Sequence, residues 1–390
     1  MSQQLAYVII TPYSLYKSRT GGILSRLITR TGLDLVGARL FGPSAELIKQ
    51  YSEETISAND PQDRRIQELI YDYINRNLGP DSKTGRRRRV MMLLFQGEDA
   101  VRKTRSVIGN ISADRRGGET IRDTYGDLVL DENDGVRYFE PAVLAAPTIQ
   151  EAEHKLKLWA HYSDTDGGVL ENVIPYTPTE APERTLVLIK PENFRFPTGR
   201  PGNMIDFFSR TGLFIVGVKV HRMSVAQAMK FYGPVREVLR TKLKDMVAGK
   251  ARAAVEKELG IKLGPDQERQ FGEIVSPIVG DSQFENIVRF MSGRAPSECP
   301  ISEIDNPGSE KCIALVYEGV EAVRKTRDVL GPTDPSKAPP GSIRREFGQT
   351  IMINAAHASD STDNAKREMD IVNVGENTFR QIVEKFYGKS

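Results

Sequence analysis

The stretch Arg30-Thr-Gly-Leu-Asp-Leu-Val-Gly37 returns, almost residue for residue, as Arg210-Thr-Gly-Leu-Phe-Ile-Val-Gly217. Ahead of the first occurrence, Ile23, Leu24, Leu27 and Ile28 are spaced as the apolar stripe of an amphipathic helix over Gly22–Thr31, and Leu33 to Leu40 reads as a strand. A buried strand is expected at Leu5–Ile10. The same order of elements recurs at Leu186–Ile189, Met204–Phe208 and Phe214–Val220, at an offset of 180 residues (210 against 30). A second echo pairs Ala100-Val-Arg-Lys-Thr-Arg105 with Ala322-Val-Arg-Lys-Thr-Arg327, and Thr120-Ile-Arg122 with Ser342-Ile-Arg344, both at an offset of 222 (322 against 100). Two copies of one domain account for both offsets, and their difference of 42 residues (222 against 180) measures an insertion carried by the second copy.

Each copy runs strand, helix, two strands, helix, strand, which suits an antiparallel sheet with helices on one face. Periodicity supports an α/β or α+β class. The expected boundaries are a first domain at 1–164, a linker at 165–182 rich in glycine and proline, and a second domain at 183–390 whose insertion spans about 236–283. That insertion, with Lys250-Ala-Arg-Ala-Ala-Val-Glu-Lys-Glu-Leu259 inside it, favours helix.

The chain of 390 residues is 39% hydrophobic with no long apolar run, so a soluble protein with a core of ordinary size is expected. Its 54 basic and 52 acidic residues leave a net charge of +2, which marks neither a membrane nor a nucleic-acid partner. The run Arg86-Arg-Arg-Arg89 lacks interleaved aromatic residues and reads as a solvated loop rather than a nucleic-acid patch. Cys299 and Cys312 are too few for a disulfide framework or a four-ligand zinc site, and the N-terminus has no signal-peptide pattern; a cytoplasmic protein is expected.

Chemistry concentrates at Asn354-Ala-Ala-His357-Ala-Ser-Asp-Ser361. Ser359, Asp360 and Ser361 are strong helix N-caps, so His357 is expected on a loop just before a helix. Glu368 lies far enough into that helix to fold back, and a carboxylate on one imidazole nitrogen fixes the tautomer and leaves the other as a nucleophile. His161 and His221 have no partner at ligand spacing. Gly199-Arg-Pro-Gly202 precedes a helix but lacks a phosphate-loop lysine, and reads as a turn.

The ordered set Lys190-Pro-Glu-Asn, Arg327-Asp-Val-Leu-Gly-Pro-Thr333, Gly341-Ser-Ile-Arg344 and Asn-x-x-His-x-Ser-Asp-Ser resembles the nucleoside diphosphate kinase family from about Arg184 to Met369. The resemblance implies ferredoxin-like sandwich domains and transfer of a γ-phosphate through a phosphohistidine on His357. It implies that Lys190 and Asn354 bind the nucleotide sugar near the phosphates, and that Arg327, Thr333 and Arg344 hold the phosphates. Phe284 matches the aromatic position that stacks on the base, with Ile351 on its other side; Tyr232 matches a tyrosine that bonds toward the histidine, which Ser359 and Glu368 orient. Mg2+ is expected through the nucleotide phosphates, with nucleoside di- and triphosphates as partners and no dedicated metal cage.

Two departures stand out: Ala358 replaces the family's usual glycine, and the insertion after Val235 interrupts the part that closes over the base. The first copy has lost the chemistry, since Thr11 stands opposite Lys190 and Leu144 opposite His357, while His154 falls on a helix. Arg105 and Arg122 survive, as structural residues or as an anion site. The alternative reading is a nucleotide-binding regulatory or scaffolding protein with little turnover. Family members assemble from like subunits, so the two halves are expected to pair within one chain as a pseudo-dimer, and chains to form a homo-oligomer.

Overall fold

The computed structural model describes residues 3–58, 60, 62–114 and 117–388. Its strands are β1 (Gln3–Ile10), β2 (Asp34–Phe41), β3 (Val90–Glu98), β4 (Asp127–Leu130), β5 (Val136–Glu140), β6 (Val143–Leu144), β7 (Pro182–Ile189), β8 (Phe214–His221), β9 (Cys312–Val320) and β10 (Ala356–Ala358). Among the described residues, ten strands make two four-stranded sheets and the small β4–β5 hairpin. The sheets run β2-β3-β1-β6 and β8-β9-β7-β10, one order twice over. β1 lies antiparallel to β3 and β6, as β7 does to β9 and β10.

The repeated Arg-Thr-Gly-Leu segment is a helix-to-strand corner. Thr31 Oγ1 accepts from Leu33 N–H at 3.1 Å, and Thr211 Oγ1 from Leu213 N–H at 3.2 Å. Between them Gly32 and Gly212 adopt φ of +63° and +69°, the left-handed conformation that a Cβ disfavours. The alternating apolar residues that follow then enter β2 and β8, where Leu35, Leu40, Val216 and Val218 are buried.

By compactness the chain forms two units, Met1–Val220 with Ile313–Ser390, and His221–Cys312. Both sheets belong to the first. Within it the helices Thr20–Thr31 and Arg200–Ser209 meet through small residues: a Cβ on Gly202 would lie 2.1 Å from the Gly21 carbonyl oxygen, and one on Gly21 2.2 Å from that of Gly202. Gly199 is the N-cap of the second helix and its carbonyl accepts from Ser25 Oγ at 2.9 Å, so Gly199 and Gly202 serve helix start and helix packing. Residues 165–182 are tied down on the way from one sheet to the other, with Gly168 N–H on Leu40 O at 2.9 Å and Leu170 N–H on Val216 O at 2.8 Å.

Buried cations at matching places, Arg39 on β2 and Lys219 on β8, each take helix C-terminal carbonyls. Arg39 donates to Ser163 O and Gly167 O, both at 3.1 Å, and Lys219 Nζ to Val372 O and Asn373 O, both at 3.0 Å. Burial pushes the Arg39 guanidinium down to about 10. Three arginines of the four-arginine run are similarly spent within the fold. Arg87 donates to Thr165 O at 3.1 Å, Arg88 pairs with Asp81 at 3.1 Å, and Arg89 donates to Ile215 O at 2.5 Å while lying over the Phe214 ring.

The second unit contains the helices Val225–Lys242, Lys244–Leu259 and Pro265–Ser292. Arg236 and Arg240 both bond Asp281 at 2.8 Å, and these two hydrogen bonds hold its carboxyl well below the usual carboxylate range. Phe284 is buried here, with the Arg236 guanidinium 5.5 Å from its ring centroid.

Candidate active site

His357 lies on β10, not on a loop. It pairs with Leu188 of β7, because β7 is otherwise an edge strand whose free carbonyl and amide groups take up even a three-residue segment. The helix Thr362–Val372 starts later, at the N-cap Ser361, whose Oγ accepts from Asn364 N–H at 3.1 Å. One helical turn inward from its end, Glu368 folds back as expected: His357 Nε2 is 2.8 Å from Glu368 Oε2, and Ser359 Oγ donates to the same oxygen at 2.6 Å. Arg367 lies 3.5 Å from the other carboxylate oxygen. The carboxylate and Ser359 are buried while the imidazole keeps 23% of its surface, which suits a fixed group with one open side.

A second cluster adjoins it through the chain. Lys190, at the end of β7, donates from Nζ to Met352 O and, at 3.0 Å, to Asn354 Oδ1; Asn354 Nδ2 in turn donates to Ile351 O at 2.8 Å and Thr333 O at 3.2 Å. Burial pulls the Lys190 ammonium down to about 8, with Arg344 adding to the fall and Glu192 opposing it. Arg344 donates to Gly331 O at 3.0 Å and to Ala356 O at 3.2 Å, beside the histidine. Arg327 and Thr333 are exposed, and Ile351 presents 63% of its surface. The Arg327 charge helps to hold the Asp360 carboxyl low, after the hydrogen bond from Asn364. Tyr232 and Phe284 belong to the helical unit, Tyr232 with its ring against Phe231 at 4.9 Å.

Sequence reasoning passed over Glu192 and Asn193, although both stand in the quoted Lys190-Pro-Glu-Asn segment. Glu192 Oε1 accepts from Ala355 N–H at 2.9 Å, and Asn193 Nδ2 donates to Ala355 O at 2.8 Å. The available signal was a carboxylate two residues beyond the lysine, next to an apolar strand end where burial would force it to find a donor.

The family model for nucleoside diphosphate kinase matches residues 302–377. A nucleoside diphosphate kinase of Wolinella succinogenes is 32% identical over 187 residues, covering 48% of this chain and 92% of that protein. The chain belongs to the nucleoside diphosphate kinase family. A second family member, from Campylobacter hominis, is 30% identical over 187 residues with the same coverage of 48% and 92%. The solved NDP kinase from Pyrobaculum aerophilum aligns with 49% of this chain and 95% of its own at 28% identity; its TM-score of 0.31 does not by itself establish a shared fold. The relatives that share the family therefore span about half of this chain.

The first half has a similar backbone arrangement with leucine in the place that His357 takes. Ile9 stands two residues before Thr11 as Leu188 stands two before Lys190, and Ile9 pairs with Leu144 as Leu188 pairs with His357. Thr11 Oγ1 donates to Glu140 Oε1 at 2.9 Å and Tyr73 OH to Glu140 Oε2 at 2.6 Å. Arg122 donates to Gly109 O at 3.0 Å and Val143 O at 3.3 Å, the counterparts of the two carbonyls that Arg344 takes. Burial lowers the Arg122 guanidinium to about 10, and the neighbouring Arg105 adds to this. Arg105 donates to Pro147 O at 2.8 Å.

Proposed function

We infer that this nucleoside diphosphate kinase works through a phosphohistidine on His357. The observation that carries the reading is the His357 Nε2–Glu368 Oε2 contact of 2.8 Å, reinforced by Ser359 on the same oxygen. With Nε2–H donating to the carboxylate, Nδ1 bears the lone pair that attacks phosphorus. The bond from the γ-phosphorus to its bridging oxygen breaks as the N–P bond forms, and the nucleoside diphosphate leaves with the bridging oxygen. Positive charge that develops on the ring is met by Glu368, and the equatorial phosphoryl oxygens by Lys190, Arg327 and Arg344. A second nucleoside diphosphate then takes the phosphoryl group by the reverse step. One cationic pocket serves both half-reactions, which gives ping-pong kinetics.

Besides Glu368 and Ser359, the site brings the cations Lys190, Arg327 and Arg344 and the amide of Asn354, and among the described residues no cluster of three or more His, Cys, Asp or Glu side chains could hold a metal ion. This donor set fits a magnesium ion carried by the nucleotide oxygens, where it neutralises phosphate charge. Lys190 and Asn354 bind the sugar near the phosphates, Thr333 contacts the phosphates and Ile351 lies against the base.

The first half, 1–164, is a non-reacting copy joined through 165–182 to the reacting half, 183–390, with its insertion at about 236–283. The two halves pair within the chain as a pseudo-dimer, and light scattering would give the number of chains in the assembly. No helix among the described residues is long and apolar enough to cross a membrane, and Cys299 and Cys312 are free thiols; the proposed setting is the cytoplasm. The deciding assay incubates the protein with γ-labelled ATP, looks for acid-labile and base-stable label, and chases it with GDP. Undiminished transfer by His357→Ala would sink the reading.

A further inference from the structure

Ala355 stands two residues before His357, fully buried, with φ at +73°. Ala356 N–H donates to Asn354 O at 2.9 Å, so Ala355 is the centre of a three-residue turn of positive φ. L-residues rarely adopt that turn, and it persists only where the surroundings over-determine it. Three groups close on this one residue. Its N–H donates to Glu192 Oε1 at 2.9 Å, and its carbonyl accepts from Lys190 N–H at 3.0 Å and from Asn193 Nδ2 at 2.8 Å. On one side of the turn Asn354 meets Lys190 Nζ at 3.0 Å; on the other, β10 begins with Ala356 and carries His357.

The first half repeats the turn with a different clamp. Ala142, two residues before Leu144, has φ of +61°, and Val143 N–H donates to Pro141 O at 2.7 Å. The Ala142 carbonyl accepts from Thr11 N–H at 3.3 Å and Ser14 Oγ at 3.0 Å, while its N–H donates to Glu140 Oε1 at 3.0 Å. Ser14 stands where Asn193 does, but Tyr13 stands where Glu192 does. The carboxylate is supplied instead from just before the turn. A carboxylate on that N–H is thus present in both halves although two different chain positions provide it. An ionised acceptor bonds an amide more strongly than a neutral one, which is what a turn of positive φ at alanine requires.

We propose that Glu192 is a positioning residue for the phosphoryl-transfer site: by gripping the Ala355 N–H it holds the left-handed turn that directs Asn354 to Lys190 and threads His357 into β10. The inference rests on the phosphohistidine reading for its effect on rate, though not for the clamp itself. Burial pushes the Glu192 carboxyl up and the Lys190 ammonium opposes this most strongly, so the lysine that the turn positions also supports the ionised clamp.

The test compares Glu192→Ala, Glu192→Gln and the pair Glu192→Ala with Ala355→Gly in the full chain, reading single-turnover phosphohistidine formation. Glu192→Ala slows the step by about 10²-fold, the order expected when a reacting group is displaced by an ångström. Glu192→Gln, which keeps an acceptor oxygen but loses its charge, falls between Glu192→Ala and the wild type. Glycine enters the left-handed region without strain, so the pair recovers at least about tenfold over Glu192→Ala. Wild-type rate in Glu192→Ala, or a pair no faster than Glu192→Ala, overturns the proposal. Should Glu192→Ala not fold, restored folding in the pair supports the clamp and continued failure refutes it. Hydrogen exchange of the segment 350–360 reads the clamp without turnover: it quickens in Glu192→Ala and not in His357→Ala. Unchanged exchange in Glu192→Ala refutes the clamp even if the wild type never labels, whereas an unlabelled wild type with quickened exchange refutes only the phosphohistidine reading.

Discussion

At Ala142–Leu144 and at Ala355–His357 the chain builds one backbone arrangement and furnishes it with opposite chemistry. Both places have a positive-φ alanine, a short strand that begins at the next residue, and an arginine that bonds the carbonyl of that strand's first residue and that of a glycine thirteen positions before the arginine. What differs is the furnishing: Leu144, Thr11 and a buried Glu140 on one side, His357, Lys190 and Asn354 on the other. The difference teaches that Arg122 is kept by its two carbonyls and needs no phosphate. Arg344 makes the same bonds, so an arginine at that place is weak evidence of anion binding, and the histidine with its carboxylate is the informative pair.

Converting the second half toward the first is the strongest way to break this comparison. His357→Leu reduces phosphoenzyme by at least about 10⁴-fold, the scale of losing a covalent nucleophile. The reciprocal Leu144→His leaves the first half unlabelled, because Thr11 replaces the lysine and Glu140 puts negative charge nearby; label mapped to residues 1–164 by proteolysis would contradict that. Glu368→Gln keeps the shape of the contact and removes its charge, and phosphorylation falls by about 10²-fold in rapid-quench measurements.

Removing each arginine sharpens the comparison further. Arg122→Met and Arg344→Met should each lower stability in urea by about 1.5–3 kcal/mol, the range for hydrogen bonds made by a charged group. Only Arg344→Met should also lose transfer; a folded Arg122→Met protein without label would give the first half a part in the chemistry. The smallest effect is electrostatic. Lys190, lowered to about 8 against an ordinary 10.5, binds fewer protons folded than unfolded in that window. Stability of the nucleotide-free protein therefore rises as pH climbs from about 8 to 10.5, by about 1–3 kcal/mol, and the rise is missing from Lys190→Met. Equal pH dependence of the two urea midpoints would count against the buried charge.

Much of this was legible beforehand because it is local. The repeated Thr-Gly-Leu corner is set by one hydroxyl and one glycine, the apolar spacing around it by burial of one face, and the His357–Glu368 contact by helix geometry over eleven positions. The rest depends on groups far apart in sequence. β10 is three residues long, too short for any periodicity, and exists because β7 offers it partners. Glu192 reaches a peptide N–H that is remote along the chain and near only after the sheet has formed. Likewise the β4–β5 hairpin and the carbonyl-binding cations Arg39 and Lys219 answer to tertiary surroundings, which single-residue preferences do not encode.

The segment that follows the Thr362–Val372 helix belongs, by its contacts, with the earliest strands. Phe379 packs edge-on against Phe41 at 5.4 Å, Phe41 in turn against Trp159 at 5.0 Å, and Asn377 bonds Ser163 at 2.7 Å. A ribosome therefore delivers this cover some 220 residues after Trp159 (379 against 159). Throughout that interval of synthesis the aromatic face of the first half waits open, a hydrophobic surface of the kind that chaperones bind and neighbouring nascent chains adhere to. Because Trp159 is the chain's one tryptophan, its fluorescence reports the moment of closure without any added label.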